Sequence, residues 1–313
     1  MKFQTSKTIN RRQADKNIWL GKDDLRVQEI FSAPNIAEYK FEVLESENAV
    51  GQAMFEELQT AVNEKTGADL VMLLLGGRGA QAMYRIIGEK SKTTEIDDLL
   101  SKLHVFTQDA LAPMRMKNSL SFVRDFERLL GDEFFQKVKS FTPMQTDTDD
   151  LEDELEKYLE TLESLGGIDL FFLGLGPEAE AASHLCYIKP NSGAKFDDLV
   201  GIIPISPSIL EHHINKFKVG GSEVSAADEA ECRAATHILT LAPAAILGAK
   251  KVVQSIVDAD TAPNKRASFK RVLETKISDN LEERAKQMDE NPGLWLRLHP
   301  NVRSLILPNL LEN

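Results

Sequence analysis

The stretch from residue 166 to residue 185, GGIDLFFLGLGPEAEAASHL, constrains the fold of this chain more than any other. Its apolar run, Ile168 to Leu173, is typical of a strand that is buried on both faces of a parallel sheet. Gly174 and Gly176 then permit a tight turn, and Pro177 with its acidic neighbours predicts that a helix begins there. Because ligands of open α/β sheets bind beyond the carboxyl ends of the strands, we expect a site at this turn.

Three ionisable side chains follow that turn and are the first candidates for catalysis, namely Glu178, Glu180 and His184. On a helix, residues 180 and 184 would share a face, so the imidazole could orient the carboxylate or take over proton transfer. Partial burial, with Glu178 nearby, would raise the pKa of Glu180 toward neutrality and make it a water-activating base.

Two further strand ends are expected to bring polar groups to the same edge of the sheet. The apolar run Leu70 to Leu75 leads into Gly76-Gly77-Arg78-Gly79 and then a helix, an arrangement that exposes backbone N–H groups to an anion such as phosphate. The strand Leu103 to Thr107 ends at Asp109, which is either a turn-capping residue or a group that contacts a ligand.

Composition limits the class of protein. A chain of 313 residues with 42% hydrophobic and 27% charged residues can bury a large core, and a net charge of −12 argues against a nucleic-acid partner. No apolar run approaches the roughly 20 residues that cross a bilayer, and no signal-peptide segment is evident. Cys186 and Cys232 are interpreted as packing residues. We expect a cytoplasmic protein that does not contact membranes.

The chain divides into a polar extension, residues 1–38, and one α/β domain, residues 39–313. Ile18, Trp19 and Leu20 are the apolar anchor of the extension, which packs either on the surface or on a second subunit, so homo-oligomerisation stays open. No cofactor is predicted, because no G-x-G-x-x-G follows the first strand. No metal is predicted either, since the neighbouring His212 and His213 would point in different directions on a helix.

The segment LGLGPEAEAAS resembles the signature loop of the glucosamine-6-phosphate isomerase and 6-phosphogluconolactonase superfamily, LG-x-G-x-D-G-H-x-A-[SF]. In that alignment Glu178 stands at the family Asp, Ala179 at the Gly and Glu180 at the catalytic His. The segment Gly76-Gly77-Arg78-Gly79 resembles the family's sugar-phosphate loop S-G-G-S-T-P, with Arg78 and Gly79 in place of two hydroxyl residues. Similar order and spacing extend over residues 40–308.

The resemblance implies a modified Rossmann-like α/β fold of the NagB/RpiA-like kind, with helices on both faces of a parallel sheet, and a sugar 6-phosphate as ligand. It places Asp109 at the aspartate that is a catalytic base in the isomerase branch. Lys265 matches a family lysine that contacts the phosphate, although it could instead belong to a solvated basic face. His237 falls where the lactonase branch commonly has an arginine near the phosphate.

The resemblance implies one of two reactions. The Ala-Ser ending of the signature is closer to the lactonase version, so hydrolysis of a phosphosugar lactone is the first expectation, and deamination with isomerisation is the alternative. A sugar-phosphate-binding or partner-binding protein without activity is the third reading, because the family's histidine is replaced. The expected substrate-binding residues are Gly76, Gly77, Arg78, Gly79, Gly176, His237 and Lys265.

Overall fold

The computed structural model describes residues 10–14, 17–33, 38–65 and 68–312. Its centre is a parallel sheet of seven strands in the order β3-β14-β13-β8-β4-β5-β7. The strands are β3 (Phe41–Val43), β4 (Leu70–Leu74), β5 (Leu103–Thr107), β7 (Ser140–Thr142), β8 (Leu170–Leu173), β13 (Lys251–Ile256) and β14 (Val302–Ile306).

Helices flank this sheet, and the predicted modified Rossmann-like fold is confirmed. They are α1 (Leu25–Ser32), α2 (Glu47–Glu64), α3 (Gln81–Ser91), α4 (Asp97–Leu100), α5 (Phe122–Leu130), α6 (Asp132–Lys137), α7 (Leu151–Ser164), α8 (Pro207–Val219), α9 (Ala226–Arg233), α10 (Pro243–Gly248), α11 (Asn264–Glu274) and α12 (Leu281–Glu290). In the described ranges, no helix is both long enough and apolar enough to cross a membrane.

The two central strands show why the apolar runs of the sequence become buried strands. Every residue of β4 and of β8 is buried, because these strands lie in the middle of the sheet and have layers on both faces. The helices contribute one apolar stripe each, as in α2, where Val50, Met54 and Leu58 recur at helical spacing and are buried.

A second sheet of five antiparallel strands packs beside the first, in the order β1-β2-β11-β12-β6. The chain leaves the parallel sheet at Thr107 and enters the antiparallel one at Asp109, so Asp109 lies where the two sheets meet. The five strands are β1 (Asn10–Ala14), β2 (Asn17–Gly21), β6 (Asp109–Ala112), β11 (Asp198–Pro204) and β12 (His237–Leu241).

Residues that precede the predicted domain belong to this core. Trp19 and Leu20 of β2 are buried, and the Trp19 indole N–H donates to the carbonyl of Ser192 at 3.3 Å. The strand β2 pairs with β11, so the expected anchor binds the second sheet of its own chain. The parts of the extension at residues 1–9, 15–16 and 34–37 lie outside the described residues.

The helix predicted after Pro177 is wrong. Residues 176–184 instead form a small hairpin, in which β9 (Gly176–Pro177) pairs with β10 (Ser183–His184). Glu180 and Ala181 adopt positive φ angles of 56° and 59°, so a helix cannot continue through them. Tertiary hydrogen bonds hold this turn: the Ser268 hydroxyl donates to the Ala182 carbonyl at 2.6 Å, and Arg271 donates to the Glu180 carbonyl at 2.9 Å.

Candidate active site

A polar cavity lies beyond the carboxyl ends of the central parallel strands, where the topology of an open α/β sheet favours ligand binding. It encloses about 490 Å³, including its open mouth. Its walls come from the loops after β4, β5, β8 and β13, together with α8 and the start of α11. The residues that line it are Leu75, Gly76, Gly77, Arg78, Gly79, Gln108, Asp109, Gly174, Leu175, Gly176, His184, Cys186, Tyr187, His212, Lys216, Ser255, Asp258 and Lys265.

The glycine-rich turn after β4 forms one wall, as the sequence predicts. Gly77 has a positive φ of 82°, a backbone conformation that is strained for any residue with a side chain. Arg78 begins the short 3₁₀ turn that leads into α3. This geometry places backbone amides at the N-terminal end of an 11-residue helix, a favourable position for an anion. The Arg78 guanidinium also pairs with Glu47 at 2.6 Å, which fixes its position at the rim.

Lys265 of α11 contributes a second cation to the cavity. The side chain is buried and its ammonium group pairs with the Asp258 carboxylate at 2.6 Å. Burial of both partners requires this pairing, because an isolated charge in such a place would be strongly unfavourable. Lys265 is therefore a cavity residue and does not belong to a solvated basic face.

Asp109 lies at the inner end of the cavity and is only 5% exposed. Its Oδ1 atom is buried and has no hydrogen-bond partner among the described residues. Burial raises the pKa of this carboxyl group, and the positive charge of Lys216 opposes that shift. A buried carboxyl group in the lining of a cavity, with one oxygen that has no partner, is suited to accept a proton from a bound molecule.

His184, which lies on the opposite strand of the hairpin from Gly176, forms a hydrogen-bonded pair with Glu178, the residue that follows the strand of Gly176. The His184 Nδ1 atom lies 3.0 Å from Glu178 Oε1, and since a carboxylate only accepts, Nδ1 donates and Nε2 is left as the acceptor. Burial lowers the pKa of His184, although Glu178 acts in the opposite direction, so the imidazole is neutral near pH 7. Only glycine fits at position 176, because an added Cβ would lie 1.7 Å from His184 Nε2.

Besides Glu178, which is not part of the cavity lining and reaches it only through His184, the structure places two predicted site residues outside the cavity. Glu180 is exposed on a separate outer groove, which it shares with Glu178, Lys189 and Arg271, because the hairpin turns its side chain away from the sheet. The predicted alignment of Glu180 with His184 on one helix face is thus wrong. The sequence also predicts that Arg78, Asp109 and Glu180 border one cleft, which holds for the first two alone.

His237 is the second residue outside. It is the first residue of β12, where it pairs with Ala112, whereas Asp109 pairs with Thr240 three residues further along the same strand. Three residues of a strand span roughly 10 Å, so the imidazole lies well away from the inner end of the cavity. Its Nδ1 atom bonds to the Thr236 hydroxyl at 2.8 Å.

Lys216, His212 and Tyr187 line the cavity and were not predicted as site residues. The first two are four residues apart on α8 and therefore share a face, next to the buried stripe that includes His213 and Phe217. That spacing is the signal in the sequence that could have identified them. The described residues contain no group of three or more His, Cys, Asp or Glu side chains that could hold a metal ion.

The arrangement is suited to acid–base chemistry on an anionic ligand. Arg78, Lys265 and the amides of the glycine-rich turn line one part of the cavity together with Lys216, which lies against Gly77, and Asp109 adds a buried carboxyl group. The neutral His184 lies on the wall formed by the β8 loop and the hairpin. The cavity thus combines an anion-binding end with two separate proton-transfer groups.

Comparison with solved structures agrees with this fold. The solved structure of a monomeric glucosamine-6-phosphate deaminase, described as a missing link of the NagB superfamily, superposes with a TM-score of 0.65 at 20% identity over 87% of this chain and 98% of that chain. The 6-phosphogluconolactonase of Trypanosoma brucei gives a TM-score of 0.62 at 15% identity, over 88% and 98% of the two chains. At these identities, both comparisons show the fold.

Sequence comparison adds two relatives. The glucosamine-6-phosphate deaminases of Clostridium beijerinckii and Thermoanaerobacter pseudethanolicus are each 25% identical to this chain, over 84% and 80% of its length and over 93% and 85% of their own. Residues 45–204, which are half of the chain, match the sequence profile of one family. This chain belongs to the glucosamine-6-phosphate isomerases/6-phosphogluconolactonase family.

Proposed function

We propose that this protein catalyses ring opening and proton transfer between C1 and C2 of a hexose 6-phosphate, as a glucosamine-6-phosphate deaminase does. The observation that carries the proposal is Asp109, a buried residue of the cavity lining whose carboxyl group has one oxygen without a hydrogen-bond partner in the described structure. Lactone hydrolysis requires one base, whereas isomerisation requires a ring-opening group and a second base. The cavity holds two such groups, Asp109 and His184.

His184 is the ring-opening group in this proposal. Its neutral imidazole has Nε2 free to accept the proton of the anomeric hydroxyl, and it can return a proton to the ring oxygen as the C1–O5 bond breaks. Glu178 holds the tautomer, and Ser208, whose hydroxyl donates to Glu178 at 3.3 Å, ties this pair to α8. In this proposal, the pair of His184 and Glu178 takes the role of the family's catalytic histidine, because Glu180 occupies the position of that histidine in the signature.

The phosphate group is expected at the other end of the cavity. The glycine-rich turn, Arg78 and Lys265 offer amide and charged donors there, which is the combination that binds phosphate. With the phosphate so held, the sugar carbons extend toward Asp109. Asp109 then removes the C2 proton and delivers it to C1, and water subsequently replaces ammonia at C2 if the substrate is an amino sugar.

Lactone hydrolysis is the second candidate, and the pair His184–Glu178 favours it. A neutral imidazole that is oriented by a carboxylate can also activate water for attack on a lactone carbonyl. In that reaction Asp109 would have no proton to transfer. Substitution of Asp109 therefore separates the two candidates.

The test is a pair of assays on the purified chain. One measures release of ammonia and fructose 6-phosphate from glucosamine 6-phosphate, and the other measures hydrolysis of 6-phosphogluconolactone above its spontaneous rate. Turnover in the first assay that Asp109→Asn abolishes supports the proposal. Turnover in the second assay alone, unchanged in Asp109→Asn, would establish the lactonase reading, and binding without turnover in either would reject an enzymatic function.

A further inference from the structure

Gln108 lies between β5 and β6, immediately before Asp109, and the signature motifs of the sequence assign it no role. The residue is 2% exposed and lines the cavity. Its amide nitrogen has no hydrogen-bond partner in the described ranges, yet it is not one of the unpartnered atoms that burial closes off completely. The small accessible part of Gln108 therefore includes Nε2, and the cavity is the open space beside this residue.

A thiol occupies the oxygen of the same amide. The Cys186 S–H group donates to Gln108 Oε1, with the sulfur 3.3 Å from the oxygen. Burial raises the pKa of the Cys186 thiol, so the sulfur keeps the proton that it donates. With its oxygen occupied, the amide has only N–H groups to offer. Gln108 is thus a hydrogen-bond donor in the cavity lining.

Strand β12 fixes the backbone on both sides of this contact. The Leu241 N–H donates to the Gln108 carbonyl at 2.9 Å, and the hydroxyl of the preceding Thr240 accepts the Tyr187 N–H at 3.1 Å. Cys186 directly precedes Tyr187, so two consecutive residues of one strand set the distance between thiol and amide. The donor is therefore positioned before a ligand binds, which reduces the entropy that binding must cost.

Asp109 gives the cavity a group of the opposite kind. Its carboxyl group has an oxygen without a partner in the described part of the chain, and this oxygen can accept a hydrogen bond. Consecutive residues thus supply a donor and an acceptor to the lining of one cavity. Sugar hydroxyl groups can donate and accept, whereas an apolar carbon chain can do neither. A ligand that removes water from the Gln108 N–H groups without offering them an acceptor would lose affinity.

We propose that Gln108 is a specificity-determining residue that donates a hydrogen bond to one oxygen of the bound sugar, and that Cys186 is the positioning residue that directs its amide. This inference rests on the proposed function, from which it takes a hexose 6-phosphate as the ligand. It gives Cys186 a role besides the packing role that the sequence predicts. Neither residue makes or breaks a bond, because both act on the selection of the ligand.

The experiment measures dissociation constants by isothermal titration calorimetry for glucose 6-phosphate and for five analogues that each lack one oxygen. Four analogues are deoxygenated at C1, C2, C3 or C4, and in the fifth a methylene group replaces the ring oxygen. We expect the wild-type protein to bind at least one analogue about 10-fold more weakly than glucose 6-phosphate, because that analogue buries a donor without satisfying it.

Gln108→Met identifies the partner oxygen. Methionine has a similar length and no N–H group, so glucose 6-phosphate should bind this variant about 10-fold more weakly than it binds wild type. The analogue that lacks the partner oxygen should bind the variant within about twofold of glucose 6-phosphate, because the interaction that it deletes is already absent. Gln52→Met, at an exposed glutamine on α2, is the matched control and should keep the wild-type dissociation constants.

Substitutions of Cys186 test the positioning role. In Cys186→Ala the amide loses the partner of its oxygen and can turn, so the wild-type preference for glucose 6-phosphate over that analogue should fall to about threefold or less. Cys186→Ser keeps a donor and should retain most of the preference. Cys232→Ala is the matched control, since Cys232 is also a buried free thiol but lies outside the cavity lining.

Several results would overturn the inference while turnover of glucosamine 6-phosphate leaves the proposed function intact. One, decisive even if Gln108→Met does not fold, is a wild-type protein that binds all five analogues within about twofold of glucose 6-phosphate. Another is a folded Gln108→Met variant that retains every wild-type preference. An unchanged preference in Cys186→Ala would overturn the role of Cys186. A wild-type protein that binds neither glucose 6-phosphate nor glucosamine 6-phosphate would instead reject the proposed function, and the inference with it.

Discussion

The turn of residues 178–182 adjoins both the cavity and the outer groove, and its two glutamates differ in burial and in hydrogen-bond partners. Glu178, whose side chain is 11% exposed, bonds to His184 and through it reaches the cavity. Glu180, two residues later, is exposed on the groove, and only its backbone carbonyl is held, by Arg271. Glu180, which aligns with the family's catalytic histidine, therefore lies outside the cavity. His184, which the signature motif does not include, places an imidazole in the cavity lining.

The difference teaches that burial and partners, more than the position in a motif, determine which groups can act as acids and bases. Inside the cavity, burial raises the pKa of Asp109 and lowers that of Lys216, which brings both values toward neutral pH, and it lowers the pKa of His184, which keeps this imidazole uncharged. Glu180, by contrast, is exposed to water in the open groove. The following substitutions test this contrast.

Asp109→Asn is expected to have the largest effect. Because it removes the base between C1 and C2, we expect kcat for fructose 6-phosphate formation to fall about 10³-fold or more. Asp98→Asn, at an exposed carboxylate on α4, is the control and should keep full activity. A variant at position 109 that retains wild-type kcat would remove this residue from the mechanism.

The same variant should alter stability in a pH-dependent way. Burial raises the pKa of Asp109 in the folded state, so the stability that this group contributes in its protonated form is lost as pH rises above the ordinary carboxyl value. Asparagine does not ionise. The melting temperature of Asp109→Asn relative to wild type should therefore increase between about pH 4 and about pH 7, and a difference that is constant over this range would contradict burial of an ionisable carboxyl at this position.

His184→Gln should have the next largest effect. Loss of the ring-opening imidazole is expected to lower kcat about 10²-fold, and Glu178→Gln, which removes its orienting partner, should lower it by a smaller factor of about 10. Steady-state kinetics with glucosamine 6-phosphate provides the measurement. If Glu178→Gln were more damaging than His184→Gln, Glu178 would have to act on the substrate directly.

Lys265→Gln should act on binding more than on chemistry. A charged hydrogen bond to phosphate contributes about 1.5–3 kcal/mol, so KM should rise roughly 10-fold or more while kcat changes little. Lys270→Gln, on the exposed face of the same helix, is the matched control. Equal KM values for the two variants would mean that Lys265 serves only to neutralise Asp258.

Glu180→Gln should have the smallest effect, with kcat and KM within about twofold of wild type, because an exposed side chain outside the cavity contacts no reacting atom. Its comparison with Glu178→Gln is the sharpest test of the contrast between groove and cavity, since both variants change a glutamate in one short turn. A large loss of activity in Glu180→Gln, with Glu178→Gln unaffected, would show that Glu180 and not Glu178 acts in the reaction.

Much of the fold could be predicted from the sequence, because strand and helix periodicities are local. The apolar run that became β5 has the predicted bounds, Leu103 to Thr107. The cavity residues at Gly76, Asp109 and Lys265 were also predicted, since the carboxyl ends of neighbouring parallel strands meet at one edge of the sheet.

The hairpin at residues 176–184 could not be predicted in this way. Pro177 and two glutamates favour a helix start locally, but hydrogen bonds from Ser268 and Arg271, about 90 residues away in the sequence, hold the turn in another conformation. The place of Lys216 likewise depends on how α8 packs across the glycine-rich turn. Both are long-range contacts that no window of sequence contains.

The central claim, that Asp109 moves a proton between two carbons of a hexose 6-phosphate, is tested most directly by proton NMR in D₂O. The proton held by Asp109 can exchange with D₂O before it is delivered, so glucosamine 6-phosphate incubated with the wild-type protein should yield fructose 6-phosphate of which one part carries solvent deuterium at C1 and another part keeps the proton from C2, whereas Asp109→Asn should yield no product. Product formed by wild type and by Asp109→Asn at the same rate, or a wild type that leaves this substrate unchanged while hydrolysing the lactone, would contradict the claim.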